Sequence, residues 1–280
     1  ITVTPPSVGG SVSSNQVICS GTAPANLALS GHTGSVVKWQ KDDNAAFSSP
    51  IDVGGISTNL LSTTIGNLTE TTYFRAVVQN GTCPVAYSSY ATITVNDLPT
   101  ITLGTISGIC AGSNSFTIPY TATTGSPNQY SITGTGITTV SNGSLGTSPI
   151  IVNLSSPAAG SSIPFVLTVR NSTTGCVSSV VNGAVTVNTK PTATAPGDVT
   201  VCDSYTLPAL TGDGAYFTGA GGTGTALSAG ASITSTQTIY VYAETGTTPN
   251  CTDENSFKVT VNTKPTATAP GDVTVCDSYT

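Results

Sequence analysis

Charged side chains, methionine and histidine are scarce in this chain of 280 residues. Asp, Glu, Lys and Arg make up 7% of the sequence, and there is one His and no Met; globular domains typically carry about 25% charged residues. The net charge is −6, so no basic surface is expected, and the sequence predicts no nucleic-acid partner. No run of about 18 apolar residues is present, so no membrane-spanning helix is expected.

Catalytic and metal-binding patterns are also scarce. The sole His, His32, lies in SGHTG with no nucleophile motif in the sequence, so we expect no serine-hydrolase triad. The Gly-rich 219–225 lacks the Lys-Ser/Thr and the helix of a phosphate loop, and no C-x-x-C spacing indicates zinc. The sequence therefore predicts a protein that is not an enzyme and needs no cofactor. Calcium stays an open alternative to solvated acids at Asp198, Asp203, Asp272 and Asp277.

One segment of the chain occurs twice without a mismatch. Residues 185–206 and 259–280 both read VTVNTKPTATAPGDVTVCDSYT, at an offset of 74 residues. A fixed period of this size indicates a tandem array in which each repeat is one structural unit. Because exposed linker positions tolerate change, identity along the whole segment indicates a recent duplication. We therefore expect the chain to be part of a longer array.

Short β-branched and aromatic runs recur along the chain between clusters of Gly, Asn, Ser and Pro. TYFRAVV at 72–78 and QTIYVYA at 237–243 have the period of two that predicts β-strands. Turn signals recur at Asn80-Gly81, Asn142-Gly143, Asp213-Gly214 and Gly221-Gly222, and Asn-Gly and Asp-Gly suit the positive-φ positions of tight hairpins. No segment has a helical period, so we expect at most one helical turn. About seven short strands per unit predict an all-β chain of tandem immunoglobulin-like β-sandwich domains.

Recurring closing strands and short Pro-containing linkers divide the chain into units. The strands ATITVND, GAVTVNT and FKVTVNT are each followed by LPT or KPT, and linkers containing Pro are comparatively stiff. These landmarks predict the end of a preceding repeat at 1–4, immunoglobulin-like domains at 5–97, 98–188 and 189–262, and the start of a further identical repeat at 263–280.

Six of the seven cysteines fall into pairs, one pair in each predicted domain. One pair per domain indicates an oxidising, extracellular compartment. We predict bridges within domains, Cys19–Cys83, Cys110–Cys176 and Cys202–Cys251, each stabilising by about 4 kcal/mol in the chain-entropy model. Cys276 is the repeat counterpart of Cys202 and is predicted to be unpaired, because its partner position lies past Thr280.

The aromatic residues supply a core candidate and a binding candidate. Trp39, the sole Trp, lies 20 residues after Cys19 on a strand-like segment, where a Trp commonly fills the core of such sandwiches. Tyr240 and Tyr242 share one strand face by their spacing. They are the candidates for a carbohydrate-binding platform, with cross-strand packing as the alternative.

Two stretches of the chain are similar to known repeats. ICSGTAPANLALSG, GSVVKWQ and TTYFRAVVQNGTCPVAYSSYATITV, within 18–95, resemble a repeat of very large secreted adhesins of Bacteroidota. VTVCDSYTLPAL, YFTGAGGTGTALSAG and TQTIYVYAETGTTPNCTDENSFKVTVN, within 199–262, resemble a second repeat of the same proteins. The resemblance implies export by the type IX secretion system, display on the outer surface and, in some relatives, gliding motility. It brings no catalytic residues.

The repeat and the resemblance together favour a segment of a filamentous cell-surface adhesin that gives reach and surface attachment. The expected location is extracellular, at the cell surface and associated with the outer membrane. The expected partners are other repeats of the same chain, surface polysaccharide or an abiotic surface, and the secretion and motility machinery at the outer membrane. The alternative is a spacer or carbohydrate-binding array of a secreted polysaccharide-degrading enzyme.

Overall fold

The chain folds almost entirely into β-strands. The structure is a computed structural model and describes residues 3–156, 158 and 160–276. Within these residues the helix is a single turn, α1 (Ser62–Ile65), as the sequence predicted. The chain separates into two compact units, one of Ile1–Ile106, Ser115–Ser155 and Pro164–Ala184 and the other of Ser107–Asn114, Ser156–Ile163 and Val185–Thr280.

The predicted boundaries of the domains, at 5–97, 98–188 and 189–262, stay predictions. Parts of the two predicted terminal segments, at 1–2 and 277–280, lie outside the described residues.

The first group of sheets is built from β1 to β9. The small sheet has the order β1-β3-β6, and the larger has the order β2-β9-β7-β4-β5, with β8 also pairing with β7. The strands are β1 (Ser11–Val12), β2 (Gln16–Cys19), β3 (Leu27–Ser30), β4 (Ser35–Asp42), β5 (Ile51–Asp52), β6 (Asn59–Leu60), β7 (Thr72–Gln79), β8 (Ala86–Tyr87) and β9 (Ala91–Asn96).

The second group is built from β10 to β18. Two small sheets pair β10 with β13 and β12 with β16, and the larger sheet has the order β11-β18-β17-β14-β15. The strands are β10 (Thr100–Leu103), β11 (Ile109–Cys110), β12 (Ser115–Ile118), β13 (Tyr120–Thr124), β14 (Gln129–Thr133), β15 (Val140–Ser144), β16 (Ile150–Asn153), β17 (Ser162–Arg170) and β18 (Val181–Asn188).

The third group is built from β19 to β25. A small sheet pairs β20 with β23, and the larger sheet has the order β19-β25-β24-β21-β22. The strands are β19 (Val199–Cys202), β20 (Tyr205–Thr206), β21 (Ala215–Gly219), β22 (Thr223–Leu227), β23 (Ser232–Ile233), β24 (Gln237–Glu244) and β25 (Thr252–Asn262).

The larger sheets of the three groups share one pairing pattern at their first edge. In each, a short early strand pairs in parallel with the closing strand of its group: β2 with β9, β11 with β18, and β19 with β25. On its other side the closing strand pairs antiparallel with a long strand, β7 in the case of β9 and β24 in the case of β25. This pattern fixes the direction in which each early strand points.

The core of the first group lies between its two sheets and centres on Trp39. Leu27 and Leu29 of β3 pack against Trp39 and Phe74 of the larger sheet. Trp39 is fully buried, in the core where the sequence placed it, and its Nε1 donates to the Ser57 carbonyl over 2.9 Å. An indole whose N–H is paired can be buried without an unsatisfied donor.

A bulge in β4 aims two side chains into this core. The register of β4 against β7 shifts between Val36 and Lys38. A bulge adds one residue to one strand of a pair, so Val36 and Trp39 are both buried although they are three residues apart. Val37 between them is 39% exposed.

The core of the third group follows the period of two. On β24, Ile239, Val241 and Ala243 are buried, while Tyr240 and Tyr242 on the other face are half-buried. The buried side chains pack with others from both sheets: Leu207, Tyr216, Ile233, Phe257 and Val259.

The second group packs one of its small sheets on its large sheet in the same way. Phe116 of β12 and Phe165 of β17 lie with ring centroids 6.0 Å apart. A Cβ added at Gly183 of β18 would lie 2.3 Å from the Phe165 ring. The glycine therefore makes room for the ring.

Two of the four predicted turn signals lie between paired strands, Asn80-Gly81 between β7 and β8 and Gly221-Gly222 between β21 and β22. Asp213-Gly214 directly precedes β21, and Asn142-Gly143 is wrong as a turn. Gly221 and Gly222 have φ values of 69° and 68° and connect β21 to β22, as expected for a two-glycine turn. Asn142-Gly143 lies inside β15 instead of a turn. Asn142 has a φ of 51° and β14 and β15 pair with a register shift, so its positive φ serves an irregularity in the strand.

Leu60→Ala should destabilise the first group of sheets by about 2–5 kcal/mol, because it removes buried methyl groups and leaves a cavity. Leu60 is 1% exposed in the core around Trp39. Urea unfolding followed by the fluorescence of Trp39, the sole Trp, reports this region directly. The matched control, Ile51→Ala, changes a side chain that is 61% exposed and should shift stability by less than about 0.5 kcal/mol. Equal effects would contradict the core assignment.

Candidate functional site: cysteines at the two ends of each sandwich

The first cysteine of each group ends the short strand that pairs in parallel with the closing strand. Cys19, Cys110 and Cys202 lie opposite Asn96, Asn188 and Asn262, which are the last residues of β9, β18 and β25. The chain leaves each closing strand at this point and enters the next Pro-containing linker. The first cysteine therefore lies at the exit end of its sandwich.

The second cysteine follows a strand that runs in the opposite direction. In the first group, Ile93 of β9 pairs with both Gln16 of β2 and Thr72 of β7. From this shared level, Cys19 lies three residues further toward the end of β9. The end of β7 lies seven residues in the opposite direction, so the two points are ten residues apart along the strands. Ten residues of strand correspond to about 33 Å. The turn that holds Cys83 is therefore at the entry end.

The third group repeats this geometry. Val259 of β25 pairs with both Val199 of β19 and Gln237 of β24. Cys202 ends β19 and Cys251 lies just after β24, so the two sulfurs are again at opposite ends.

The predicted bridges within domains, Cys19–Cys83, Cys110–Cys176 and Cys202–Cys251, are wrong. A disulfide requires Cα atoms within about 7 Å, and strand geometry separates the two cysteines of the first and third groups by several times that distance. In the second group both cysteines are bonded elsewhere. The bridges present are Cys19–Cys176 and Cys110–Cys251, each with a Cα–Cα distance of 5.6 Å. Each joins the first cysteine of one predicted domain to the second cysteine of the next.

Three cysteines have no sulfur partner among the described residues: Cys83, Cys202 and Cys276. Cys276 was predicted to be unpaired. Cys83 and Cys202 were predicted to be bridged, and that prediction is wrong for the described part of this chain. Both of them occupy positions whose counterparts in the other groups are bridged.

Hydrogen-bonded turns hold the second cysteines in place. In the 245–251 turn, the Thr245 N–H donates to the Cys251 carbonyl over 3.0 Å, and the Cys251 N–H donates to Thr245 Oγ1 over 3.0 Å. In the 171–176 turn, the Asn171 N–H donates to the Cys176 carbonyl over 3.0 Å. Cys176 and Cys251 are each 1% exposed. Their partners Cys19 and Cys110 are half-buried, so each bridge joins a fully buried cysteine to a more accessible one.

Side chains around the second bridge add contacts of their own. Asn188, opposite Cys110, donates from Nδ2 to the Pro249 carbonyl over 3.4 Å. A Cβ added at Gly108 would lie 3.3 Å from Pro249 Cδ. The bridge therefore lies within a packed contact between the end of β18 and the turn that carries Cys251.

The segments that lead into the first and third groups are each held against the entry end of that group. In the first group, Asn80 donates from its N–H to Ser7 Oγ and from Nδ2 to the Pro5 carbonyl, each over 2.9 Å. In the third, Asp253 accepts from the Ala193 N–H over 2.9 Å and forms an ion pair with Lys190 at 2.6 Å. The Lys190 and Ala193 donors hold the pKa of the Asp253 carboxyl below its usual value of 3.8.

The carbohydrate-platform candidates pack edge-on. Tyr242 and Phe217 lie with ring centroids 6.2 Å apart and an interplanar angle of 83°. Tyr240 pairs across strands with Phe217. A flat sugar-binding platform needs coplanar exposed rings, so this arrangement favours cross-strand packing.

His32 lies in the connection between β3 and β4, half-buried. Its Nδ1 is buried and has no hydrogen-bond partner among the described residues. The imidazole of a serine-hydrolase triad is oriented by a carboxylate at this nitrogen. Within the described residues, no carboxylate is hydrogen-bonded to His32 Nδ1.

The calcium alternative gains no support from the acids of the third linker region. The Asp198 carboxylate accepts from the Lys258 N–H over 2.7 Å, and Asp203 and Asp272 are exposed. Asp277 lies outside the described residues. Across the described ranges, no group of three or more His, Cys, Asp and Glu side chains could hold a metal ion.

Sequence reasoning missed an arginine that lies between two aromatic rings. The Arg75 guanidinium carbon is 4.1 Å from the Phe47 ring centroid and 4.0 Å from that of Tyr87. Its Nε and Nη2 donate to Gln40 Oε1 over 3.0 and 2.9 Å. Stacking and hydrogen bonding fix the side chain in place. The alternation that turns Arg75 away from the core face of β7 was visible in the sequence, but its two ring contacts were not. They come from Phe47 in the connection between β4 and β5 and from Tyr87 on the short strand β8.

Comparison with known proteins gives one match to a protein family and several to solved structures. A domain of unknown function, DUF8696, matches residues 8–97. No curated protein matches the sequence. In the part of the chain that the structure describes, no helix is long and apolar enough to cross a membrane.

The similar solved structures are chains of immunoglobulin-like and related all-β domains. A Ca²⁺-stabilised adhesin of an Antarctic bacterium, which helps that bacterium reach out and bind ice, is 16% identical, with 93% of this chain and 76% of that one covered and a TM-score of 0.40. Immunoglobulin domains 1–5 of Sidekick-1 are 14% identical, with coverage of 94% and 60% and a TM-score of 0.32. The N-terminal eight domains of Down syndrome cell adhesion molecule are 14% identical, with coverage of 93% and 37% and a TM-score of 0.38. These likenesses concern the fold class and carry no argument about function.

Alkylation of the folded, unreduced chain should label three thiols, Cys83, Cys202 and Cys276. Peptide mapping by mass spectrometry should then find Cys19 linked to Cys176 and Cys110 linked to Cys251. The Cys19→Ser variant should free Cys176 and leave Cys83 as reactive as before. Pairing within domains would instead make Cys83 unreactive in the parent chain and free it in the variant.

Asp253→Asn should lower the stability of the third group at pH 7 by up to about 1 kcal/mol, because it removes a partly exposed ion pair. The folded pKa of Asp253 is lowered, so its contribution is present above the unfolded value and is lost as pH falls through the folded pKa. Urea unfolding from pH 7 to pH 2, followed by circular dichroism, should show the two curves converging in acid. Asp272→Asn, at an exposed position, is the matched control and should have no effect. A constant difference at all pH values would contradict the linkage.

Proposed function

We propose that this chain is a structural and adhesive segment of a filamentous cell-surface adhesin, in which disulfides carry tension from one domain to the next. The observation that carries the proposal is the connectivity of the bridges, each of which joins one predicted domain to the next. Cys19–Cys176 and Cys110–Cys251 span 157 and 141 residues, and each passes over one of the predicted linkers, at 98–100 and 190–192. In a chain linked in this way, tension passes from one domain to the next through a disulfide as well as through the peptide linker.

The two closed loops also overlap in sequence. Residues 110–176 belong to both loops, because Cys110 precedes Cys176. A single backbone break anywhere between Cys19 and Cys251 therefore leaves the two ends of the chain covalently joined. This redundancy suits a protein that bears load outside the cell, where proteases act and no synthesis can repair a break.

The bridges support an extracellular location, because disulfides form and persist in oxidising compartments. Few charges and many Thr, Ser and Asn side chains give surfaces suited to contact with polysaccharide or with an abiotic surface. The resemblance of 18–95 and 199–262 to repeats of Bacteroidota adhesins supports export by the type IX system and an association with gliding motility. In this proposal the partners are neighbouring repeats, the attachment surface, and the export and motility machinery at the outer membrane.

The decisive experiment cuts the linker on intact producing cells. A protease site placed between Asp97 and Leu98 should be cleaved by protease added outside, since the segment is at the surface. The distal part should stay attached, because Cys19–Cys176 spans the cut. A reductant that does not cross membranes should then release it, and attachment of the cells to a surface should fall.

Two variants carrying the same site act as matched controls. With Cys19→Ser, protease alone should release the distal part, because the remaining bridge lies on one side of the cut. With Cys110→Ser, the distal part should stay attached, because Cys19–Cys176 remains. If the site is never cleaved on intact cells, the surface location is wrong. If protease alone releases the distal part of the parent protein, the tension-bearing role of the bridges is wrong.

A further inference from the structure

The unpaired Cys202 and Cys83 have the same structural setting as the bridged cysteines. Cys202 ends β19 opposite Asn262, as Cys110 ends β11 opposite Asn188. Cys83 lies in the turn after β7, as Cys251 lies in the turn after β24. The Cys83 N–H donates to the Asn80 carbonyl over 3.1 Å, so this turn is also held by a backbone hydrogen bond, although the Cys is here the donor.

We infer that Cys202 forms a disulfide with the second cysteine of a following repeat, and that Cys83 forms one with the first cysteine of a preceding repeat. The inference rests on the proposed function, since it extends the same bridges along the array. Both observed bridges run from a first cysteine to the second cysteine of the next domain. Applied at each end of the described array, that rule leaves Cys202 and Cys83 as the sulfurs that face a neighbour.

The internal repeat identifies the neighbour of Cys202. Residues 263–276 have the same sequence as 189–202, where Ala193 is buried and its N–H donates to Asp253 over 2.9 Å. In the second copy all of these residues are exposed. Because 263–276 has the sequence of 189–202, it can make the same contacts. It needs the counterparts of Asp253 and β25 from a further repeat to do so. The occupant we propose for the end that carries Cys202 is a further copy of the 74-residue unit, of which 263–280 has the starting sequence.

Asn262 provides a second contact for that neighbour. Its counterpart Asn188 donates to the carbonyls of Thr248 and Pro249, in the turn that carries the partner cysteine. Asn262 is exposed and lies opposite Cys202. In a further copy of the unit, the counterpart of the 245–251 turn would bring both the carbonyl acceptors and the sulfur to this end.

The covalent step is an oxidation that needs an electron acceptor. Two thiols lose two protons and two electrons as the S–S bond forms. A disulfide-carrying thiol oxidoreductase of the secretory compartment accepts the electrons and protons and becomes a dithiol. The same class of oxidant is required for the two bridges within the chain.

The test extends the chain by the rest of one repeat. Adding a copy of 207–262 after Thr280 completes a second 74-residue unit, because 259–280 already repeats 185–206. Folded under oxidising conditions, the parent chain should present three alkylatable thiols, and the extended chain should present two, Cys83 and Cys276. Peptide mapping should find the added counterpart of Cys251 linked to a first-position cysteine.

Two variants of the extended chain identify that cysteine. Cys202→Ser should free the added cysteine, whereas Cys276→Ser should leave it bridged. The inference is overturned if the added cysteine bonds to Cys276 or stays reduced while Cys19–Cys176 and Cys110–Cys251 form normally. If Cys19–Cys176 and Cys110–Cys251 also fail to form, the proposed function is wrong as well as the inference. The state of these two bridges therefore distinguishes failure of the inference alone from failure of both.

Discussion

The parallel pairing of an early strand with the closing strand is the constraint on which the cysteine connectivity depends. It places the first cysteine beside Asn96, Asn188 or Asn262, where the chain leaves its sandwich. The long strand that pairs with the closing strand, β7 or β24, runs in the opposite direction and places the second cysteine at the other end. Once the first and second cysteines of a group are about 33 Å apart along the strands, a bond between them is excluded, and the observed partners belong to the adjoining group of sheets.

Strand patterning and burial could be predicted from the sequence, whereas the cysteine partners could not. Alternation of apolar side chains predicts β24 with its buried Ile239 and Val241, and the sole Trp lies in the core as expected. Pairing of cysteines depends on which strands are neighbours and in which direction they run, and no local pattern encodes either. Part of the answer was visible in the sequence, because Cys83, Cys176 and Cys251 all precede the start of a closing strand. The position of Cys202 at the opposite end of its closing strand follows only from the parallel pairing of β19 with β25. The missed bulges in β4 and β15 have a similar origin, because a register shift is set by the partner strand.

The bridges also bear on the stability of domains with small cores. The apolar clusters around Trp39 and around Phe257 are each modest, and domains of fewer than 100 residues bury a comparatively small share of their surface. In the chain-entropy model, closing a loop of 157 residues stabilises by on the order of 5 kcal/mol. Because the two loops share 110–176, unfolding one sandwich leaves its chain ends constrained by its neighbours. Stability is therefore partly a property of the array.

Identical repeats raise a question of specificity, since chemically identical cysteines could pair in many ways. The positions of the cysteines at the ends of the sandwiches select the correct partner, even where the repeats have identical sequences. A short linker held by contacts such as Lys190–Asp253 keeps the exit end of one domain beside the entry end of the next, which gives these two sulfurs a high effective concentration. Any other pair must cross the length of a sandwich, which the 7 Å limit on Cα separation forbids. Conservation of linker length and of the anchoring carboxylate would thus matter more to correct pairing than the residues that flank each cysteine.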